Sequence, residues 1–168
     1  APERLAVLWL RSPGINIPQD WPSPGQYLDV KSENRSFDEM SISLGRAGTL
    51  LTREEAQRVE GILTSSSLFR LLGAQPLHGR LLRPDEDVPG KPAVVILSYG
   101  FWKRAFNGDP SVVGTSIALN GFGQGGGDAK NQFEIAGVLR RGFEAGTVYC
   151  VNVITDPAVA YPRSTSGL

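Results

Sequence analysis

One serine stands where a catalytic nucleophile could lie. Ser98 follows the apolar run Ala93–Leu97 and precedes a helical pattern, and an α/β-hydrolase holds its nucleophile at such a strand-to-helix turn. That turn needs a glycine where this chain has the bulky Ile96, and its histidine should follow the serine, whereas the only histidine, His78, precedes it. A serine here is also an ordinary helix N-cap. We favour the N-cap, and a small serine hydrolase using Ser98 is the alternative.

A second candidate is a phosphate-binding loop. Gly121, Gly123 and Gly126 match the spacing G-x-G-x-x-G, in which glycines let the backbone approach a pyrophosphate at a helix N-terminus. The residues that follow, Phe133 to Leu139, alternate like a strand, so no helix dipole would face the phosphate. We therefore expect a mobile glycine-rich hairpin loop over residues 121–128.

Metal-ligand patterns are weak. His78 has no nearby Cys or second His, which excludes the usual ligand spacings of a zinc site. We expect His78 to be a loop residue. Asp85-Glu86-Asp87 could hold calcium, but Val88-Pro89 precede Gly90 and no later acidic ligand falls in register. A solvated acidic turn is the favoured interpretation, and Cys150, within an apolar strand pattern, is expected to be a buried inert thiol. The sequence thus predicts no catalytic, cofactor-binding or metal-binding residues.

Composition limits the class of protein. A chain of 168 residues suits one domain or two small lobes. Its 17 basic and 17 acidic residues cancel, which disfavours nucleic acid as a partner. The longest apolar stretch is far shorter than the roughly 20 residues of a membrane-spanning helix, so we expect a soluble piece. The chain begins without Met or a secretion signal, as a piece of a larger protein would.

Strands and short helices are expected to position these residues. Apolar runs and alternating patterns predict strands at Leu5–Leu10, Met40–Leu44, Gln57–Leu63, Ala93–Leu97, Thr115–Asn120, Phe133–Leu139 and Thr147–Thr155. Capping residues predict helices at about Pro24–Asn34, Ser66–Leu72 and Ser98–Asn107, a helical turn after Asp109-Pro110, and one such turn near residues 52–55. Residues 73–91 are expected to be a polar connection. The pattern is that of an α+β fold.

Aromatic residues could anchor a partner, because interfaces favour them. Trp9, Phe101, Trp102 and Phe106 fit core positions better. Trp21 stays open as an anchor, since it lies in an irregular, proline-rich segment.

Several phrases occur in order along the chain: Arg4 to Trp9, Ser23 to Asp29, Asn34 to Met40, Leu72-Gly73 with Gly79-Arg80, Val94 to Ser98, Asp109 to Gly114, and Leu119-Asn120-Gly121. Together with Glu134 to Val138, they resemble the extracytoplasmic (periplasmic) core domain of MacB-like, FtsX-like ABC transporter permeases. The resemblance extends from about Arg4 to Phe143. Beyond Phe143 the later family segment is lacking, so the second half is truncated, divergent or rearranged.

The resemblance implies a mixed sheet with βαβ-type units and short helices, in a porter-like lobe with a variable second lobe. It implies a core domain over residues 1–157 and a polar tail over 158–168. The expected function is non-catalytic: coupling of ATP-driven motion to export of a drug, toxin or lipoprotein, with ATP bound in a separate domain. A free-standing extracytoplasmic binding domain is the alternative.

The resemblance also implies a place and partners. The domain would lie on the periplasmic face of the bacterial inner membrane, between the first and second transmembrane helices of its permease. Expected partners are those helices, an ABC ATPase domain or subunit, a periplasmic adaptor or carrier protein, and a second copy or a related domain in a homodimer or pseudo-dimer. No nucleic acid and no cofactor are expected.

Overall fold

Two compact units make up the chain, one formed by residues 1–35 with 158–168 and the other by residues 36–157. The computed structural model describes residues 4–12, 14, 16–20, 22–52, 56–87, 91–122, 132–143 and 148–151. The first unit contains a two-stranded antiparallel sheet of β1 (Leu10–Ser12) and β2 (Ile17–Asp20), followed by helix α1 (Pro24–Glu33).

Helix α1 begins as the sequence predicts. The Ser23 hydroxyl accepts from the backbone N–H of Gln26 at 3.2 Å, and the Gln26 side chain accepts from the Ser23 N–H at 2.9 Å. This reciprocal capping box satisfies two backbone donors that the first turn would leave unpaired. The buried strand expected at Leu5–Leu10 is wrong, because β1 starts only at Leu10 and the apolar side chains before it are exposed. An apolar run alone does not specify what covers it.

The second unit has a mixed sheet with short helices, as expected. Its elements are β3 (Ser43–Leu51), β4 (Ala56–Thr64), α2 (Ser67–Leu71), β5 (Pro76–Gly79), a 3₁₀ turn (Pro84–Asp87), β6 (Val94–Leu97), α3 (Tyr99–Phe106), a 3₁₀ turn (Pro110–Val112), β7 (Ser116–Asn120), β8 (Gln132–Leu139) and β9 (Val148–Val151).

The strands pair in the order β5-β8-β6-β9-β4-β3-β7, and β7 also pairs with β8. The ladders from β8 through β6, β9, β4, β3 and β7 back to β8 therefore form a closed circuit. The β6–β8 and β4–β9 pairs are parallel, and the other pairs are antiparallel. With α3 in the crossover, β6 and β8 form a βαβ-type unit.

The sheet receives and returns the chain at one end. Ser43 at the start of β3 lies opposite Thr64, and Thr64 lies opposite Val151 at the end of β9. The carboxyl ends of β6 and β8 lie at the other end, since Leu97 is in register with Val148 at the start of β9.

Strand β6 is buried on both faces, which is typical of a strand with a continuous apolar sequence. Val95 and Leu97 pack in one core cluster with Phe101 and Trp102 of α3. The other face belongs to a second cluster, which contains Val94, Ile96, Phe69, Ala136, Leu139 and Tyr149. Helices α2 and α3 thus cover opposite faces of the sheet, and side-chain alternation along one strand assigns its residues to the two clusters.

Two expectations change in the structure. Strand β3 begins at Ser43 rather than Met40 and continues through Gly48 to Leu51. The connection expected over residues 73–91 contains strand β5 and a 3₁₀ turn. The helical turn expected near residues 52–55 and the glycine-rich loop fall largely outside the described residues, as does Trp21.

Candidate functional site

Ser98 is a structural cap. Its hydroxyl is buried, with the residue 4 % exposed, and accepts from the backbone N–H of Phe101 at 3.3 Å at the start of α3. His78 lies in β5 rather than in the expected loop, and its ring packs against Trp102 with centroids 5.2 Å apart. These contacts account for both side chains without a nucleophile and its base. The described geometry of Ser98 gives no support to the hydrolase alternative.

The acidic turn, Asp85–Asp87, is organised rather than simply solvated, which corrects the sequence interpretation. The Arg80 guanidinium donates to both Glu86 carboxylate oxygens, at 2.6 and 3.1 Å. Glu86 also accepts from the Arg83 N–H at 2.7 Å, closing the 3₁₀ turn. The hydrogen bond to Glu86 raises the pKa of the Arg80 guanidinium above its usual value. Two oxygens proposed for calcium are therefore already engaged by the chain itself.

Asp87 ties this turn to helix α2. Its carboxylate accepts from the Ser66 N–H, 3.0 Å from each oxygen, and from the Ser66 hydroxyl at 2.7 Å. Ser66 precedes α2 and makes no side-chain cap of its own. A carboxylate at this position accepts from the N–H of the N-cap residue Ser66 and carries a charge that suits a helix N-terminus.

A buried hydroxyl junction, made of Ser41, Thr64, Ser65 and Ser67, lies beside this contact. Ser65 lies 2.9 Å from the hydroxyls of both Ser41 and Ser67. Thr64, Ser65 and Ser67 are at most 1 % exposed. The junction joins the segment before β3 to the end of β4 and the start of α2. No single motif marked it in the sequence, although a run of hydroxyl residues between an apolar strand and a helix is a usable signal.

Two family phrases meet across β5 and β8. Gly79 adopts a left-handed backbone conformation, with φ of 68°, and pairs with Gly137. The N–H of Arg80 then donates to the Ala136 carbonyl at 2.9 Å. A Cβ on Gly137 would lie 2.8 Å from the His78 carbonyl oxygen and 2.9 Å from the Arg80 nitrogen. The phrases Gly79-Arg80 and Glu134 to Val138 therefore form one close backbone contact, and the residue that follows Gly79 in it, Arg80, binds Glu86.

A second pair of glycines explains the Leu-Asn-Gly phrase. Gly121 turns the chain after β7 with φ of 89°. The turn places the fully buried ring of Phe122 against Gly48 of β3, where a Cβ would lie 2.5 Å from the ring. Gly48 is thus required within the strand by a close approach, which is one reason that glycine occurs in sheets.

The phrase that begins Asp109-Pro110 supports helix α3 from its other end. Trp102 donates its indole N–H to the Asp109 carbonyl at 2.8 Å. The Asp109 carboxylate accepts from the Ser111 N–H at 2.9 Å and from its hydroxyl at 2.8 Å, and these two bonds lower the pKa of Asp109. Asp109 starts a 3₁₀ turn, as the sequence predicts. The polar groups of this segment therefore serve the fold.

Other candidates contribute no described site. Cys150 lies in β9, but its side chain is outside the described part of the structure, as are Trp21 and Gly123 and Gly126 of the glycine pattern. Within the described ranges, no group of three or more His, Cys, Asp or Glu residues could hold a metal ion. None of the described helices is long and apolar enough to cross a membrane.

The fold and these contacts define a mixed α+β domain whose polar side chains, where described, chiefly hold its elements together. The family model of the MacB-like periplasmic core domain matches residues 5–166. The chain belongs to this family of MacB-like periplasmic core domains. The resemblance and the extracytoplasmic location predicted from the sequence are confirmed.

Solved structures of similar domains agree with the fold. The periplasmic region of MacB from Actinobacillus actinomycetemcomitans is 16% identical, with a TM-score of 0.56 over 75% of this chain and 52% of that one. A domain of a putative permease protein from Porphyromonas gingivalis is 14% identical, with a TM-score of 0.50 over 79% and 52%. At these identities the likeness shows the fold alone, and it confirms the expected α+β class.

A third similar structure is the extracellular domain of the noncanonic ABC-type transporter YknZ from Gram-positive bacteria. It is 16% identical, with a TM-score of 0.48, and the match covers 66% of this chain and 52% of that one. This chain spans about half the length of each of these three structures. No curated protein matches it.

Proposed function

We propose that this chain is a non-catalytic extracytoplasmic domain that couples ATP-driven conformational change in an ABC transporter permease to export of a substrate. ATP would be hydrolysed by a separate nucleotide-binding domain, and the cargo would be a drug, toxin or lipoprotein. The observation that carries the proposal is the match of the MacB-like periplasmic core domain over residues 5–166.

The direction of the chain supports an insertion between two membrane helices. A domain placed there must receive and return the chain on its membrane side. In the second unit, β3 starts and β9 ends at the same end of the sheet, with Ser43 and Val151 both in register with Thr64. We propose that the opposite end is directed away from the membrane.

The contacts around Arg80 support a mechanical role. Arg80 and Glu86 tie the acidic turn to β5, and Asp87 ties it to Ser66 at the start of α2. The glycine contact between β5 and β8 connects the same turn to the sheet. Coupling between distant sites is carried by packed elements and hydrogen-bond networks of this kind. We propose that the second unit moves as one body when the membrane region rearranges.

The proposed partners follow from that role. They are the transmembrane helices of the same permease, an ABC ATPase domain or subunit, and a periplasmic adaptor or carrier protein. A second copy or a related domain would complete a homodimer or pseudo-dimer. We propose residues 1–157 as the domain and residues 158–168 as a polar tail.

Distance measurements in the complete transporter test the proposal. Glu60 is exposed on β4 and suits a spin label through Glu60→Cys in a Cys150→Ser background. A second label would be placed on the facing domain, and the transporter would be held in lipid nanodiscs. ATP should shift the distance distribution, whereas a variant unable to bind ATP should show no shift. An unchanged distribution with functional ATPase, or ATP hydrolysis by the isolated 168-residue chain, would contradict the proposal.

A further inference from the structure

A basic surface lies at the end of the sheet opposite the chain connections. Arg140 and Arg141 directly follow β8, and Tyr99 begins α3 two residues after β6. Because β6 and β8 are parallel, their carboxyl ends lie at the same end of the sheet. We define the basic patch by six residues around the carboxyl ends of β6 and β8: His78, Tyr99, Trp102, Lys103, Arg140 and Arg141.

Ring contacts hold the patch together. The Arg141 guanidinium lies 5.7 Å from the centroid of the Tyr99 ring, and the Lys103 ammonium lies 5.0 Å from that of Trp102. Tyr99 and Trp102 meet edge to face, with centroids 5.7 Å apart. His78 packs against Trp102 from β5. These contacts place the cations beside aromatic rings, which attract positive charge without neutralising it.

The Arg140 side chain is held at the same surface by a hydrogen bond to the backbone of β5. Its Nε donates to the Pro76 carbonyl at 3.4 Å, two residues before His78 in β5. Arg140, Arg141 and Lys103 are all exposed. Their side chains therefore reach solvent from a scaffold formed by β5, β8 and α3.

The cations of the patch form no ion pair with the described part of the chain. The ion pairs seen there join Arg70 to Glu39 and Arg80 to Glu86, and none involves a cation of the patch. The carboxylate of Asp109, whose backbone contacts Trp102, is engaged by Ser111. Because the whole chain has a formal net charge of zero, this is a local concentration of positive charge. Such a patch favours a complementary negative surface.

We propose that the basic patch binds a carboxylate-rich segment of a partner protein. Two observations favour a protein over an anionic lipid surface. The patch lies opposite the end where the chain enters and leaves the sheet, and Trp102, its central ring, is only 4 % exposed and so presents little surface to a bilayer. The first argument rests on the proposed function, which places the chain connections toward the membrane.

Binding of an acidic peptide tests the inference. The probe is a fluorescein-labelled peptide of glutamate residues, and fluorescence anisotropy follows its binding to the 168-residue chain at low and moderate salt. We expect saturable binding that weakens with salt, and a loss of at least about tenfold in affinity with Arg140→Glu/Arg141→Glu.

The matched control is Arg46→Glu/Arg58→Glu, which reverses two exposed cations on the β3–β4 hairpin. Each replacement of Arg by Glu changes the charge by −2, so both double variants go from 0 to −4. The control should bind the peptide within about threefold of the wild type at moderate salt, where distant charges are screened.

Three results would overturn the inference: no binding by the wild type, equal loss in the two double variants, or binding to vesicles containing phosphatidylglycerol without binding to the peptide. Circular dichroism checks that each variant is folded. If Arg140→Glu/Arg141→Glu unfolds, the single variant Lys103→Glu replaces it, and Arg46→Glu then serves as the control. The peptide assay needs no membrane or ATPase. Its failure would therefore be distinguishable from failure of the transport proposal, which the spin-label distances decide.

Discussion

Replacing Gly137 by alanine should strongly destabilise the second unit. Gly137 lies in the middle of the sheet, where β8 has β6 on one side and β5 on the other. The added Cβ would press on the carbonyl oxygens of Arg80 and His78 and on the Arg80 nitrogen. All three atoms belong to the backbone, so no side-chain rotation can relieve the overlap. The close contact between the Gly-Arg phrase and β8 must then open.

The distances set the size of the effect. An ordinary Cβ contact begins at 3.4 Å, whereas the two longer contacts here are 2.8 and 2.9 Å. Relief requires β5 to move by about half an ångström or more, at a site that also holds the hydrogen bond from the Arg80 N–H to Ala136. Overpacking a well-packed core costs about 1–3 kcal/mol. We expect a loss of about 3 kcal/mol, at the upper end of this range, because the clash is with backbone.

Gly100→Ala is the matched control. Gly100 lies within α3, and a Cβ there would meet nothing within 4 Å. Alanine should stabilise the helix by about 0.5–1 kcal/mol. Urea unfolding followed by circular dichroism gives both changes, provided that the slopes with denaturant agree. A Gly137→Ala chain within about 0.5 kcal/mol of the wild type would refute the close backbone contact as described.

Two further predictions concern caps. Ser98→Ala should lower the free energy of unfolding by about 1 kcal/mol, because it removes the N-cap of α3; urea unfolding measures it, and an unchanged stability would contradict the capping role. Asp109→Asn should be destabilising at pH 7 by an amount that shrinks in acid. The bonds from Ser111 lower the folded pKa of Asp109, so its contribution is present above the unfolded pKa of about 3.9 and is lost as pH falls through the lower folded value. Unfolding measured at several pH values checks this, and a difference that persists unchanged to pH 2 would contradict it.

Local signals predicted much of the regular structure. The capping box at Ser23 and Gln26 places α1, and Ser98 places α3 directly after the central strand. Gly73, with φ of 65°, lies directly after the last residue of the predicted helix Ser66–Leu72, where a glycine is a typical left-handed end of a helix. Each of these features depends on residues within one helical turn. Such interactions can be recognised in sequence without knowing the rest of the fold.

Other features depend on residues far apart in the chain. Strand β5 is four residues long and contains Pro76 and Gly79, so it has no pattern of its own, and it exists because β8 pairs with it. The apolar segment before β1 is the converse case. Its hydrophobicity predicts a buried strand, but its side chains are exposed. In both cases the structure depends on whether a distant segment packs against the element. Neighbouring residues in the sequence do not identify that segment.

The sequence by itself determined the family, through the resemblance of its ordered phrases. It also determined the α+β class, the positions of the three helices and a strand at Ala93–Leu97, because caps and apolar periodicity act over a few residues. Only the tertiary structure decided the closed circuit of strands, the pairing of Gly79 with Gly137, and the engagement of the acidic turn by Arg80 and Ser66. It also brought cations from α3 and the end of β8 beside the rings of Trp102 and Tyr99. These arrangements join segments up to 87 residues apart, as in the pairing of Gly61 with Val148. Backbone pairing over such distances follows from the order of strands, which one chain does not reveal.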